Sequence, residues 1–216
     1  MKTNRDSFII RILLVNNQVY GLTKGQFSPT SKVGQVTKTS PQGVANQPIN
    51  PLALALAAGA TFVARAVDKD PNHLSSVLKQ AYEHQGSSLV EIYQDCNIFN
   101  HGAFDEFSLK SNRANQTISL SQGQPLLFGA NKEHGLALRD ESLSRVAAED
   151  AKNYTHDTSN LMAAMRLAEL TFPDFPVPLG VYYQKVREAF SFPCEFKKTV
   201  DDLPGLYRSR ASWEQV

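Results

Sequence analysis

The residues best suited to chemistry stand in one run, Asn16-Asn-Gln-Val-Tyr-Gly-Leu-Thr-Lys-Gly-Gln26, directly after an apolar stretch. Asparagine and backbone carbonyls are hard oxygen donors suited to magnesium, which proteins commonly hold with few ligands of their own plus phosphate oxygens. A metal-diphosphate site is chemically available here. The plainer reading is an Asn pair that turns the chain after a strand. The order Gly21-Leu-Thr-Lys-Gly25 is not a P-loop, which needs Gly-Lys followed by Ser or Thr, so an ATPase reading does not stand on it. Taken alone, Lys24 reads as a solvated loop lysine. Cys96 and Cys194 are the only 2 cysteines and form no CxxC pair, which argues against a disulfide framework and against a self-contained zinc or iron-sulfur site. On composition each is an inert thiol. His73, His84, His101, His134 and His156 have no HExxH or similar ligand spacing.

The elements that must position these residues alternate between β-type and α-type patterns over the first hundred or so positions, which argues for a parallel sheet flanked by helices. Phe8-Ile-Ile-Arg-Ile-Leu-Leu-Val15 reads as a strand buried on both faces, with a ligand site expected at its carboxy end. From Tyr20 to Gln47 no hydrophobic period survives, and so long a loop in a compact domain is functional or disordered. Asn50-Pro51 supplies a helix cap and a first-turn proline, and the apolar stretch Leu52 to Ala58 predicts a buried helix. Thr61 to Val67 alternates like a strand. Asp70-Pro71 repeats the cap signal, and Leu74, Val77, Leu78, Ala81 and Tyr82 predict a one-faced helix ended by Gly86. Ser88 to Tyr93 is the next strand, with Cys96 just past it.

After Phe104 the pattern breaks into short pieces. A hairpin is expected from Leu126 to Arg139, then a helix near Asn160 to Leu170 and a proline-rich stretch from Phe172 to Pro178. The division implied is an α/β domain over residues 1–104 and an irregular arm over 105–216 that packs along that domain or a partner subunit.

Composition narrows the function classes. The chain has 216 residues, is 42% hydrophobic and carries a formal net charge of +1, enough for one globular unit with a single core. Lys and Arg are mostly scattered, so no basic track for nucleic acid is expected. The apolar run before Asn16 is about half the length of a membrane helix and is interrupted by Arg11. A signal peptide is not expected ahead of it, and the expected compartment is the cytoplasm.

The segments NNQVYGLTKGQFSPTS, TFVARAVD, LVEIYQDCNIFNHGAF, HDTSNLMAAM and FPDFPVPLGVYY together resemble the β subunits of 2-oxoglutarate:ferredoxin oxidoreductases. The resemblance implies a thiamine-diphosphate-binding α/β fold and oxidative decarboxylation of a 2-oxoacid to an acyl-coenzyme A, with electrons passed to ferredoxin. It implies Mg2+ held by the Asn17 side chain and the Val19 backbone carbonyl, Leu22 against thiamine diphosphate, and Lys24 near the 2-oxoacid or coenzyme A. A cation suits that last place because both ligands are anionic. It assigns Cys96 to a [4Fe-4S] cluster, which usually needs four thiolates. An α subunit is the implied partner.

Fifteen residues precede Asn16, and the family's Gly-Asp-Gly-Asp motif and further cluster cysteines are absent from them. The expectation is a carboxy-terminal portion of the β subunit that is inactive and binds no cofactor by itself. The alternatives are a non-catalytic remnant or docking fragment and, within the enzyme class, pyruvate as substrate.

Overall fold

A computed structural model describes residues 9–186. The elements in chain order are β1 (Arg11–Asn16), α1 (Pro51–Ala57), β2 (Phe62–Val67), α2 (Pro71–Glu83), β3 (Ser88–Tyr93), α3 (Asp105–Ser108), α4 (Lys110–Gln116) and β4 (Thr117–Leu120). They continue with β5 (Leu127–Phe128), β6 (His134–Arg139), β7 (Ser142–Ala147), α5 (Ala148–Ala151), α6 (Leu161–Ala168) and β8 (Val177–Gln184). The two caps read from the sequence form as expected, the side chains of Asn50 and Asp70 accepting from the backbone amides of Ala53 and His73, and Asn160 caps α6 in the same way through the Ala163 amide. Each satisfies one of the amides a helix start leaves free.

The main sheet has the order β1-β3-β2-β8-β4. β1, β3 and β2 run parallel, β8 lies antiparallel to β2, and β4 is parallel to β8. Helices cover both faces. On one, Leu52, Ala55 and Leu56 of α1 and Ala164, Leu167 and Ala168 of α6 pack with Val63, Leu89 and Tyr182. On the other, Val77 and Ala81 of α2 pack with Phe62, Ala64, Val90 and Ile92. A third cluster, Val67, Phe104, Phe107, Val177 and Leu179, closes the carboxy end of the sheet. Each fully buried large apolar side chain contributes about 1.5–3 kcal/mol.

The sheet does not stop near residue 104. β4 and β8 come from the stretch read as an arm, and the first seven residues of β8 are buried. Gly180, at φ +123°, permits this packing, because a Cβ there would stand 2.9 Å from the Leu120 carbonyl oxygen. The expected hairpin is β5–β6, and β7 extends it to a three-stranded sheet.

Two readings are corrected. β1 is not buried on both faces: among the described residues it pairs with β3 alone, and Ile12, Leu13 and Val15 are about half exposed. Among the described residues it is the edge strand of the sheet. In α1, Leu54 is 62% exposed, so that helix is buried on one side only. Cys194 lies outside the described residues.

Candidate cofactor site at the end of β1

Three strands deliver side chains to one place. The parallel registers set Leu14, Glu91 and Arg65 level, and Asn16, two residues beyond Leu14, falls on the same face. Glu91 is 1% exposed and accepts from Asn16 Nδ2 at 2.7 Å and from Arg65 Nε at 2.7 Å. Arg65 Nη1 donates to the Tyr182 hydroxyl at 2.9 Å, and that hydroxyl donates to the Pro178 carbonyl. The guanidinium lies over the rings of Tyr93 and Tyr182. Burial by itself would lower the Arg65 pKa, but Tyr182, Tyr93 and Glu91 hold it above the ordinary value. Burial pushes the Tyr93 hydroxyl up to about 12.

Beyond this core the chain turns twice. Asn16 Oδ1 accepts from the Gln18 amide at 3.2 Å, and Asn17 Oδ1 accepts from the Val19 amide at 3.2 Å. These are consecutive Asx turns, the local use of asparagine that the plain reading anticipated. Asn17 is also tied to the turn after β3: its Nδ2 donates to Gln94 Oε1 at 3.2 Å, and its carbonyl accepts from Asn100 Nδ2 at 2.9 Å. The Asn100 amide donates to the Cys96 carbonyl at 3.0 Å. Asn100 thereby joins the Asn17 turn to the Cys96 turn.

Residues 20–26 form a tight loop closed by the Tyr20 amide donating to the Gln26 carbonyl at 2.7 Å. Lys24 and Gly25 have φ of +64° and +96°. Gly25 rests on Phe99, whose ring lies 3.1 Å from where a Cβ would be, so both its φ and the close approach require glycine. Leu22 stands at the tip, 98% exposed, and Lys24 is exposed beside it. The loop thus leaves an apolar and a cationic side chain open to solvent, with Asn17 and Val19 at its base.

The donor set suits magnesium in kind. An amide carbonyl has two lone pairs, and Asn17 Oδ1 uses one for the Val19 amide. Among the described residues no group of three or more His, Cys, Asp and Glu could hold a metal. Because amide oxygens are neutral, the charge balancing a cation held by them would come from phosphate or a carboxylate. Cys96 is a half-buried thiol among the described residues.

Two open spaces adjoin the site. A groove of about 610 Å³ runs along Ile12, Leu14, Leu54 and Ala58 to Asn17 and Val19. A second, of about 340 Å³, lies between Asn16, Gln18, Thr30, Arg65, Glu91 and Phe104. Reading the sequence missed Asn16, Thr30, Arg65, Glu91, Gln94 and Asn100. A signal existed for two of them, since Arg65 and Glu91 are the charged residues inside otherwise apolar strands.

Residues 3–92 match the family described as "Thiamine pyrophosphate enzyme, C-terminal TPP binding domain". The 2-oxoglutarate oxidoreductase subunit KorB of Mycobacterium tuberculosis is 44% identical over 175 residues, 76% of this chain and 46% of that protein. The 2-oxoacid:ferredoxin oxidoreductase subunit beta of Saccharolobus solfataricus is 42% identical over 100 residues, 46% of this chain and 33% of that one. Among solved structures, 2-oxoglutarate:ferredoxin oxidoreductase from Magnetococcus marinus, with 2-oxoglutarate, coenzyme A and succinyl-CoA bound, matches with a TM-score of 0.59 at 29% identity. That match covers 83% of this chain and 48% of that one. The chain spans less than half the length of these relatives. The site lies at the carboxy end of a parallel strand in an α/β sheet, where such folds bind ligands, and over most of its length the chain is similar to 2-oxoacid:ferredoxin oxidoreductase β subunits.

Proposed function

We propose that this chain serves the oxidative decarboxylation of a 2-oxoacid, 2-oxoglutarate in preference to pyruvate, to its acyl-coenzyme A, in the cytoplasm and in complex with an α subunit. Per turnover the 2-oxoacid and coenzyme A yield acyl-coenzyme A, carbon dioxide and the proton of the coenzyme A thiol, and two electrons leave singly to ferredoxin. Thiamine diphosphate, when bound, supplies the nucleophilic and electron-accepting chemistry that lets the 2-oxoacid lose carbon dioxide. The observation that carries the reading is the Asn16–Gln26 run standing as a braced loop at the end of a parallel strand, tied through Asn100 to the Cys96 turn.

In this reading Asn17 Oδ1 and the Val19 carbonyl hold Mg2+ against the diphosphate, and Leu22 packs on the cofactor. Lys24 meets the carboxylate of the 2-oxoacid or the phosphates of coenzyme A. Cys96 gives one thiolate to a [4Fe-4S] cluster whose other ligands lie elsewhere. In this reading the chain binds the cofactor only when assembled with its α subunit.

The complex is expected to reduce ferredoxin faster with 2-oxoglutarate than with pyruvate, and Cys96→Ser to lose the cluster's visible absorption and paramagnetic signal. Equal or reversed turnover removes the substrate assignment, and an unchanged signal removes Cys96 from the ligand set.

A further inference from the structure

The Asn pair at the end of β1 has two members, and the proposal above uses only Asn17. We propose that Asn16 is a positioning residue for the cofactor loop: held by the buried Glu91, it fixes the backbone that aims Asn17 and the Val19 carbonyl. This inference rests on the reading of Asn17 and Val19 as magnesium donors.

Asn16 is 5% exposed and uses both ends of its amide. Its Nδ2 is locked on Glu91, which is itself fixed by Arg65. Its Oδ1 accepts from the Gln18 amide and from Thr30 Oγ1 at 2.7 Å. From Thr30 the bracing continues: its hydroxyl lies 3.0 Å from Ser28 Oγ, and Ser31 Oγ caps the Ser28 amide and donates to the Gln18 carbonyl at 2.6 Å. Gln35 Nε2 donates to the same carbonyl at 3.2 Å. The Gln18 peptide is therefore gripped at its amide by Asn16 and at its carbonyl by Ser31 and Gln35. Gln18 needs that grip, because its φ of +58° is the left-handed conformation that a residue with a side chain rarely adopts unaided. With Gln18 fixed between them, Asn17 and Val19 keep one relative orientation before any metal arrives, which lowers the ordering cost of binding.

The test uses the full chain assembled with its α subunit and compares Asn16→Ala, Thr30→Val, Thr30→Ser and Asn17→Ala. Magnesium-dependent thiamine diphosphate affinity is read by calorimetry, and hydrogen exchange at the Gln18 and Val19 amides is read without cofactor. Asn16→Ala is expected to weaken affinity about tenfold, the scale of one buried hydrogen bond, and to speed exchange at both amides. Thr30→Val, which keeps the shape and removes the hydroxyl, is expected to do so by a smaller factor, and Thr30→Ser to restore both readouts. Should Asn16→Ala fail to fold, the Thr30 pair decides. Unchanged affinity and exchange in Asn16→Ala and Thr30→Val, with Asn17→Ala still damaging, overturns the positioning role alone. An Asn17→Ala complex that binds normally overturns the magnesium assignment and the positioning role with it.

Discussion

β1 and β2 are both parallel strands of six residues in the same sheet, yet all six residues of β2 are buried while most of β1 is exposed. β2 is flanked by β3 and β8 and covered by helices on both faces, so its side chains carry the core. Among the described residues β1 has one neighbour, and its buried residue is its last, Asn16, bonded inward to Glu91. The centre is organised by apolar burial and the edge by polar bonds that reach in from the loop. Stability and site thus reside in different strands, joined by the Arg65–Glu91–Asn16 chain.

The largest expected effect falls on that joint. Glu91→Ala leaves the Arg65 guanidinium buried without a carboxylate and should cost about 3–5 kcal/mol in chemical denaturation. A loss below about 1 kcal/mol would show that the tyrosine rings and hydroxyl suffice, and that the centre does not depend on the joint.

Next comes the contrast between centre and edge. Leu52→Ala, at a fully buried position on α1, should cost about 2–5 kcal/mol. Ile12→Ala on the flank of β1, 50% exposed, should cost within about 0.5 kcal/mol. Similar losses at the two sites would mean that the flank of β1 is covered in solution, and the comparison would fall.

The smallest effect is a pH dependence of the centre. Burial holds His156 and His84 below the ordinary value of 6.5, with Arg11 adding to the effect at His84. The unfolded chain then takes up protons first, so this part of the stability is complete above about pH 6.5 and is lost as pH falls from there toward the folded-state values. His156 Nε2 lies 2.7 Å from the Val181 carbonyl of β8, which places the sensitivity beside β2. Denaturation midpoints at pH 7.5 and 5.5 should differ less in His156→Gln than in the parent, and an equal difference would remove His156 as the source.

Much of this architecture was legible where the signals were local. Asn50-Pro51 and Asp70-Pro71 announced α1 and α2 because caps act within one turn. β2 and β3 were legible from short apolar runs. β8 was not, because Pro178 and Gly180 break the look of a strand, and its place depends on β2 and β4, far away in sequence. For β1 the apolar run reveals what a strand could bury and not whether a neighbour is there. At the site, family resemblance marked Asn17, Val19, Leu22, Lys24 and Cys96. The brace behind them was invisible: Asn16 and Glu91 are 75 residues apart and meet only when β1 pairs with β3.

The central claim is that the loop after β1 holds half of a magnesium-diphosphate site. Its most direct test is calorimetric titration of thiamine diphosphate with Mg2+ into the chain assembled with its α subunit, beside the same complex carrying Asn17→Ala. The parent is expected to bind only when the metal is present, and the variant to show no magnesium-dependent binding. Equal affinity in the two complexes would contradict the account.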